Sequence, residues 1–176
     1  MIFEPVWVSS VEHLRTFEKA FRETSYLRRI LGAYLLPDCF PYTRGWLAVP
    51  WRIPVVMFSS GRLRIGEQLL VFEARAWHPP LNRLHHVRTD WSFTLTAQEI
   101  TAVEPFEYAS PVMRYYSLPF TRIRTKKSGD VADLLLWVGG LGPFMGKIRE
   151  RNVKLFAKLG EAFPEAVRAQ PVSPSA

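Results

Sequence analysis

The stretch Asp133-Leu134-Leu135-Leu136-Trp137-Val138, followed by Gly139-Gly140-Leu141-Gly142-Pro143, decides how the chain reads. The first six residues are a short apolar run bounded by turn residues, which is a strand signal. The glycines form a tight corner, and Pro143 stands at a first helical position, where its missing amide costs nothing. One amphipathic helix then runs to Phe163. Met145, Ile148, Asn152, Phe156, Leu159 and Phe163 keep to one stripe, joined by Val153 and Leu155, while Lys147, Arg149, Glu150, Arg151, Lys154 and Lys158 fill the rest.

Upstream of this corner, strand signals follow one another quickly. Residues 55–58, 62–65 and 69–74 read as the first three, with Gly66-Glu67-Gln68 turning between the last two. Residues 91–96 and 100–105 are joined by Ala97-Gln98-Glu99, and residues 117–125 and 131–138 complete the set. Seven short strands and one closing helix predict an α+β fold: a small antiparallel β-barrel with the helix plugging an open end.

The N-terminal part reads as helical. Ser9-Ser10-Val11-Glu12 has the form of a capping box, with Ser9 as N-cap and Glu12 three residues on. Val11, Leu14, Phe17 and Phe21 recur on one helical face, and Leu27, Ile30, Leu31, Tyr34 and Leu35 continue the spacing until Pro37 stops it. Prolines 37, 41, 50 and 54 forbid a long element in the next segment, whose Phe40, Tyr42, Trp46 and Trp51 predict packing along the body. The expected division is an N-terminal helical extension over 1–36, a Pro/aromatic connector over 37–54, the barrel with its helix over 55–163, and a flexible tail over 164–176.

At 176 residues and 48% hydrophobic content the chain can build one ordinary core. A single cysteine, Cys39, excludes an intramolecular disulfide and reads as a half-buried small hydrophobe. The opening Met1-Ile2-Phe3-Glu4-Pro5 has neither the basic nor the apolar region of a secretory signal, so a cytoplasmic location is expected. No charge-free run approaches the ~20 residues a spanning helix needs, which argues against an integral membrane segment. The net charge of +7, from 23 Lys and Arg against 16 Asp and Glu, fits a polyanionic partner or peripheral attachment to an anionic membrane.

Gly61-Arg-Leu-Arg-Ile-Gly-Glu-Gln-Leu-Leu-Val-Phe-Glu-Ala near the start of the strands, and Leu135-Leu136-Trp137-Val138-Gly139 before the helix, resemble a bacterial pleckstrin-homology-like domain of the GRAM flavour. The resemblance spans about residues 53 to 163 and leaves residues 1–52 without a counterpart. It implies a binding or scaffolding module and no enzyme activity. Many members of that superfamily hold inositol phosphates through basic residues around the first hairpin. Here Arg62 and Arg64 offer a basic pair, while the adjoining turn Gly66-Glu67-Gln68 is short and acidic and Ser59-Ser60-Gly61 carries no lysine.

The strongest basic patch is Arg122-Ile-Arg-Thr-Lys-Lys. Strand alternation puts Arg122, Arg124 and Lys126 on one face about 7 Å apart, a row that charge-assisted bonds to phosphates could use. The alternative is a solubilising, aggregation-resistant strand face. Gly140-x-Gly142-x-x-x-Gly146 has the wrong spacing for a dinucleotide loop, Ile148 stands where a P-loop needs Ser or Thr, and too little chain follows for a βαβ unit. His85, His86 and Asp90 lack the spacing of a metal site, so neither metal nor cofactor is expected. No nucleophile-elbow motif is present, and nothing marks Glu99, Glu104 or Glu107 as a catalytic acid. The expected function is therefore a non-enzymatic module contacting a protein partner or an anionic membrane through Arg122, Arg124 and Lys126 with Arg62 and Arg64. The alternatives are a homo-oligomer assembled through the N-terminal helix, an enzyme or small-ligand carrier with a pocket under residues 77–89, and, more remotely, a nucleic-acid binder.

Overall fold

A computed structural model describes residues 1–12, 15, 59–75, 91–109, 117–138 and 145–167. Within them the chain forms one curled, seven-stranded antiparallel sheet and one C-terminal helix. The strands are β1 (Ile2–Ser10), β2 (Ser59–Gly66), β3 (Leu69–Ala74), β4 (Ser92–Thr96), β5 (Ile100–Ala109), β6 (Ser117–Thr125) and β7 (Asp133–Val138), and the helix is α1 (Met145–Ala162). The order across the sheet is β4-β3-β2-β1-β7-β6-β5. A four-strand meander and a three-strand meander thus join through β1 and β7, the first and last strands, to make a half-barrel.

The main correction to the sequence reading lies at β1. In place of a helical extension that starts at Ser9, residues 2–10 form a strand in the middle of the sheet, paired with β2 on one side and β7 on the other. Ser9 and Ser10 are buried strand residues, and helical structure begins only at Val11. Two features hide this strand. Pro5 falls inside it, and a bulge between Phe3 and Val6 sets Glu4 and Pro5 opposite Arg62 alone, which breaks the two-residue alternation. The remainder of the extension, the connector and the strand expected at 55–58 lie outside the described residues, as do Cys39, the 77–89 loop, His85, His86, Asp90 and the glycine corner.

The interior of the half-barrel is filled by Val6, Val8, Leu63, Ile65, Leu70, Phe72, Phe93, Leu95, Val103, Ile123, Leu134, Leu136 and Val138. Phe72 and Phe93 stack at 5.4 Å, with Trp91 edge-on to Phe93 at 5.2 Å. Leu155 and Leu159 of α1 complete this core, while Val153 of the same helix is 61% exposed and does not join the stripe expected of it. Strand alternation turns Trp7, Ser9, Ser60, Phe120, Leu135 and Trp137 to the opposite face, yet all six are buried too. The central strands are covered on both sides, which is why Leu134 to Val138 reads as a continuous apolar run.

One polar side chain fixes the helix to the sheet. Asn152, 3% exposed, accepts a hydrogen bond from the Val138 N–H through Oδ1 at 2.8 Å and donates through Nδ2 to the Val138 carbonyl at 3.1 Å. The end of β7 is thereby satisfied from α1, as buried backbone groups require. Beyond α1 the chain does not become a free tail at residue 164. Pro164–Ala166 form a 3-10 turn, Ala166 is buried in the core, and Val167 makes a parallel bridge to Val103.

Candidate functional site

The basic residues singled out from the sequence lie on the outer face of the sheet, and most are already paired. Arg122 of β6 donates from Nε to Asp133 Oδ1 at 2.7 Å and from Nη2 to Oδ2 at 2.5 Å, a two-pronged pairing with the first residue of β7. Its Nη1 lies 3.3 Å from Glu104 Oε1 on β5, and its guanidinium stands 5.8 Å from the centre of the Phe106 ring. The hydrogen bond to Asp133, more than the surrounding charge, raises the pKa of Arg122 against the opposing effect of partial burial. Arg124 shares the same Glu104, at 2.7 Å. On the other meander, Arg62 pairs with Glu4 at 2.8 Å across the bulge of β1, and Arg64 pairs with Glu73 of β3.

Lys126 does not extend the row. β6 ends at Thr125, so Lys126 lies in the following bend, exposed, with no carboxylate partner among the described residues. Its backbone N–H bonds to the Glu99 carbonyl at 2.8 Å, which carries it to the β4–β5 turn and away from the two arginines. The expected stripe of three cations resolves into an Arg122–Arg124–Glu104–Asp133 network and one separate lysine. The acidic partners were the missing part of the sequence reading: register opposes Glu104 to Arg122 and Asp133 to Arg124, a pairing that neither strand reveals alone.

Lys126 instead borders a groove of about 390 Å³ at the open end of the half-barrel. Gln68 of the β2–β3 turn, Gln98 of the β4–β5 turn and Glu165 of the 3-10 turn give it polar edges, and Ile100 and Phe163 are among its apolar lining. The volume falls in the range of small-ligand clefts. Gln68 adopts a φ of 57°, a left-handed conformation in which glycine is the usual residue. Sequence spacing could not have found this groove, because its walls come from two hairpin turns and the chain after α1.

A second polar cluster sits beside it. Glu99 accepts from the Thr96 N–H at 2.8 Å and the Thr96 hydroxyl at 3.0 Å, and pairs with Lys127 at 3.2 Å. These contacts, led by the Thr96 amide, hold the Glu99 carboxylate below its ordinary pKa of 4.5. Lys127 also donates to the Thr94 carbonyl at 2.9 Å.

Among the described residues no group of three or more His, Cys, Asp or Glu is placed to hold a metal ion, and no helix is long and apolar enough to cross a membrane. In comparisons with known proteins, no family model, no curated protein and no solved structure matches the chain.

Proposed function

We propose that the protein is a non-enzymatic, pleckstrin-homology-like binding module that engages a protein partner at the open end of its half-barrel. Among the described residues, seven antiparallel strands and a C-terminal helix packed across the opening support the family reading, with the first strand drawn from residues 2–10, outside the stretch that carries the resemblance. Its likeness to that family rests on this order together with the motifs of the first hairpin and the last strand.

The observation that favours a protein partner over an anionic membrane is the pairing of Arg62, Arg64, Arg122 and Arg124 with Glu4, Glu73, Asp133 and Glu104. A phosphate headgroup would meet arginines whose charge a neighbouring carboxylate already offsets, which weakens electrostatic adsorption. The groove edged by Gln68, Gln98 and Lys126 offers amide donors and acceptors, a lysine with no carboxylate partner among the described residues, and an apolar floor. Such a mixture suits side chains and backbone of a polypeptide.

The test is photo-crosslinking in cells from a reactive amino acid at position 98, with position 64 on the outer sheet face as control. A discrete adduct from position 98 that is absent from position 64 is the expected result. Vesicle co-sedimentation decides against the membrane alternative. If anionic but not neutral vesicles bring the protein down, and Arg122→Glu with Arg124→Glu abolishes this, the membrane reading replaces the one proposed.

A further inference from the structure

The outer edge of β4, which pairs with no strand among the described residues, is blocked by side chains from outside the strand. Ala74 N–H bonds to the Trp91 carbonyl at 3.1 Å and Ala97 N–H to the Gln68 carbonyl at 2.9 Å, so the odd-numbered residues from 91 to 97 face β3 along the ladder. The backbone groups of Ser92, Thr94 and Thr96 therefore point to the open side. Two of them are capped by side chains: Lys127 Nζ occupies the Thr94 carbonyl and Glu99 Oε2 occupies the Thr96 N–H. The Thr96 carbonyl is taken by the Glu99 N–H at 3.0 Å. Lys127 is held in place in turn, because its own N–H bonds to Thr125 Oγ1, which donates to the Val131 carbonyl.

The strand itself carries no protection. Ser92-Phe93-Thr94-Leu95-Thr96 has no charge, no proline and no glycine, and its alternation of exposed Ser and Thr with buried Phe and Leu is that of a good pairing strand. Natural sheets guard such edges with charged residues. The opposite edge is managed differently, by Pro105, which lacks an amide, and by the bridge from Val103 to Val167.

We infer that β4 is a latent self-association surface, kept closed by the Lys127–Glu99 pair, and that its partner when opened is β4 of a second copy. The strand is self-complementary about Thr94. In an antiparallel two-fold pairing, each Thr94 N–H meets the Thr94 carbonyl of the other copy, and Ser92 faces Thr96. The two caps occupy groups that this pairing needs, the Thr94 carbonyl and the Thr96 N–H. Neutral Ser and Thr side chains meet across the join with no like charges opposed.

The experiment compares the unchanged chain with a Glu99→Ala, Lys127→Ala double variant by light scattering over a range of concentrations, with near-ultraviolet circular dichroism to confirm the fold. The expected result is a twofold higher mass for the double variant at concentrations where the parent's mass is constant. Adding Thr94→Lys, which places two ammonium groups face to face on the two-fold axis, is expected to return the parental mass. No gain in mass, or a gain that Thr94→Lys does not reverse, overturns the proposal. If the double variant does not fold, Lys127→Met alone frees the Thr94 carbonyl and is read by the same two criteria.

Discussion

Asn152 is the side chain whose loss should be felt most for its size. Replacing it with alanine leaves the buried N–H and carbonyl of Val138 without these partners. At about 1 to 2 kcal/mol for each of the two stranded groups, Asn152→Ala is expected to lower stability by about 2 to 4 kcal/mol. In a chain of this length that is a fall in Tm of roughly 5 to 12 °C, measurable by calorimetry. Asn152→Asp keeps the acceptor but sets a second oxygen against the Val138 carbonyl, and should also be destabilising. Glu99 makes a prediction of opposite kind. Its pKa is lowered in the folded chain, so its contribution to stability is complete above 4.5 and is lost as the pH falls through the lower folded value. The amide resonance of Thr96, followed by NMR, should titrate with a midpoint below 4.5; a midpoint at or above that value contradicts the cap.

At the scale of the element, the hairpins were legible and the central strand was not. Leu69–Ala74 and Ser117–Thr125 are bounded by turn residues and coincide with the segments read from the sequence. β1 escaped because its proline and bulge erase the period that reveals a strand, and because its last residues, Ser9 and Ser10, also carry the signal for the helical structure that begins at Val11. The outer-face arginines were legible as exposed cations, but their neutralisation depends on register between distant strands and was not. Gly61, opposite Ala74 on β3, shows how tightly these strands meet: a Cβ there would stand 2.0 Å from the Glu73 carbonyl oxygen. Gly61→Ala must push β2 and β3 apart, and it is expected to cost more than about 2 kcal/mol, whereas Ala at the exposed Gly66 should be tolerated. Denaturant unfolding of the two variants side by side checks the contrast. Gln68→Gly, at the left-handed turn position, is expected to be neutral or stabilising by up to about 1 kcal/mol.

For the whole molecule, the position of β1 changes what a deletion means. Removing residues 1–36 to test a helical oligomerisation arm would also remove the strand that joins the two meanders. The truncated chain is expected to lose cooperative thermal unfolding altogether, and a sharp transition near the parental Tm would contradict the central role given to β1. The same topology has a consequence in time. Val6 pairs with Gly61 and with Val138, so the strand nearest the start of the chain finds its second neighbour more than a hundred residues later. Such high contact order slows folding, because long loops must close before the pairing repays their entropy. On a nascent chain, Trp7 and Val8 must wait uncovered until β7 has emerged, an interval in which the unfinished protein is most open to chaperones and to mispairing.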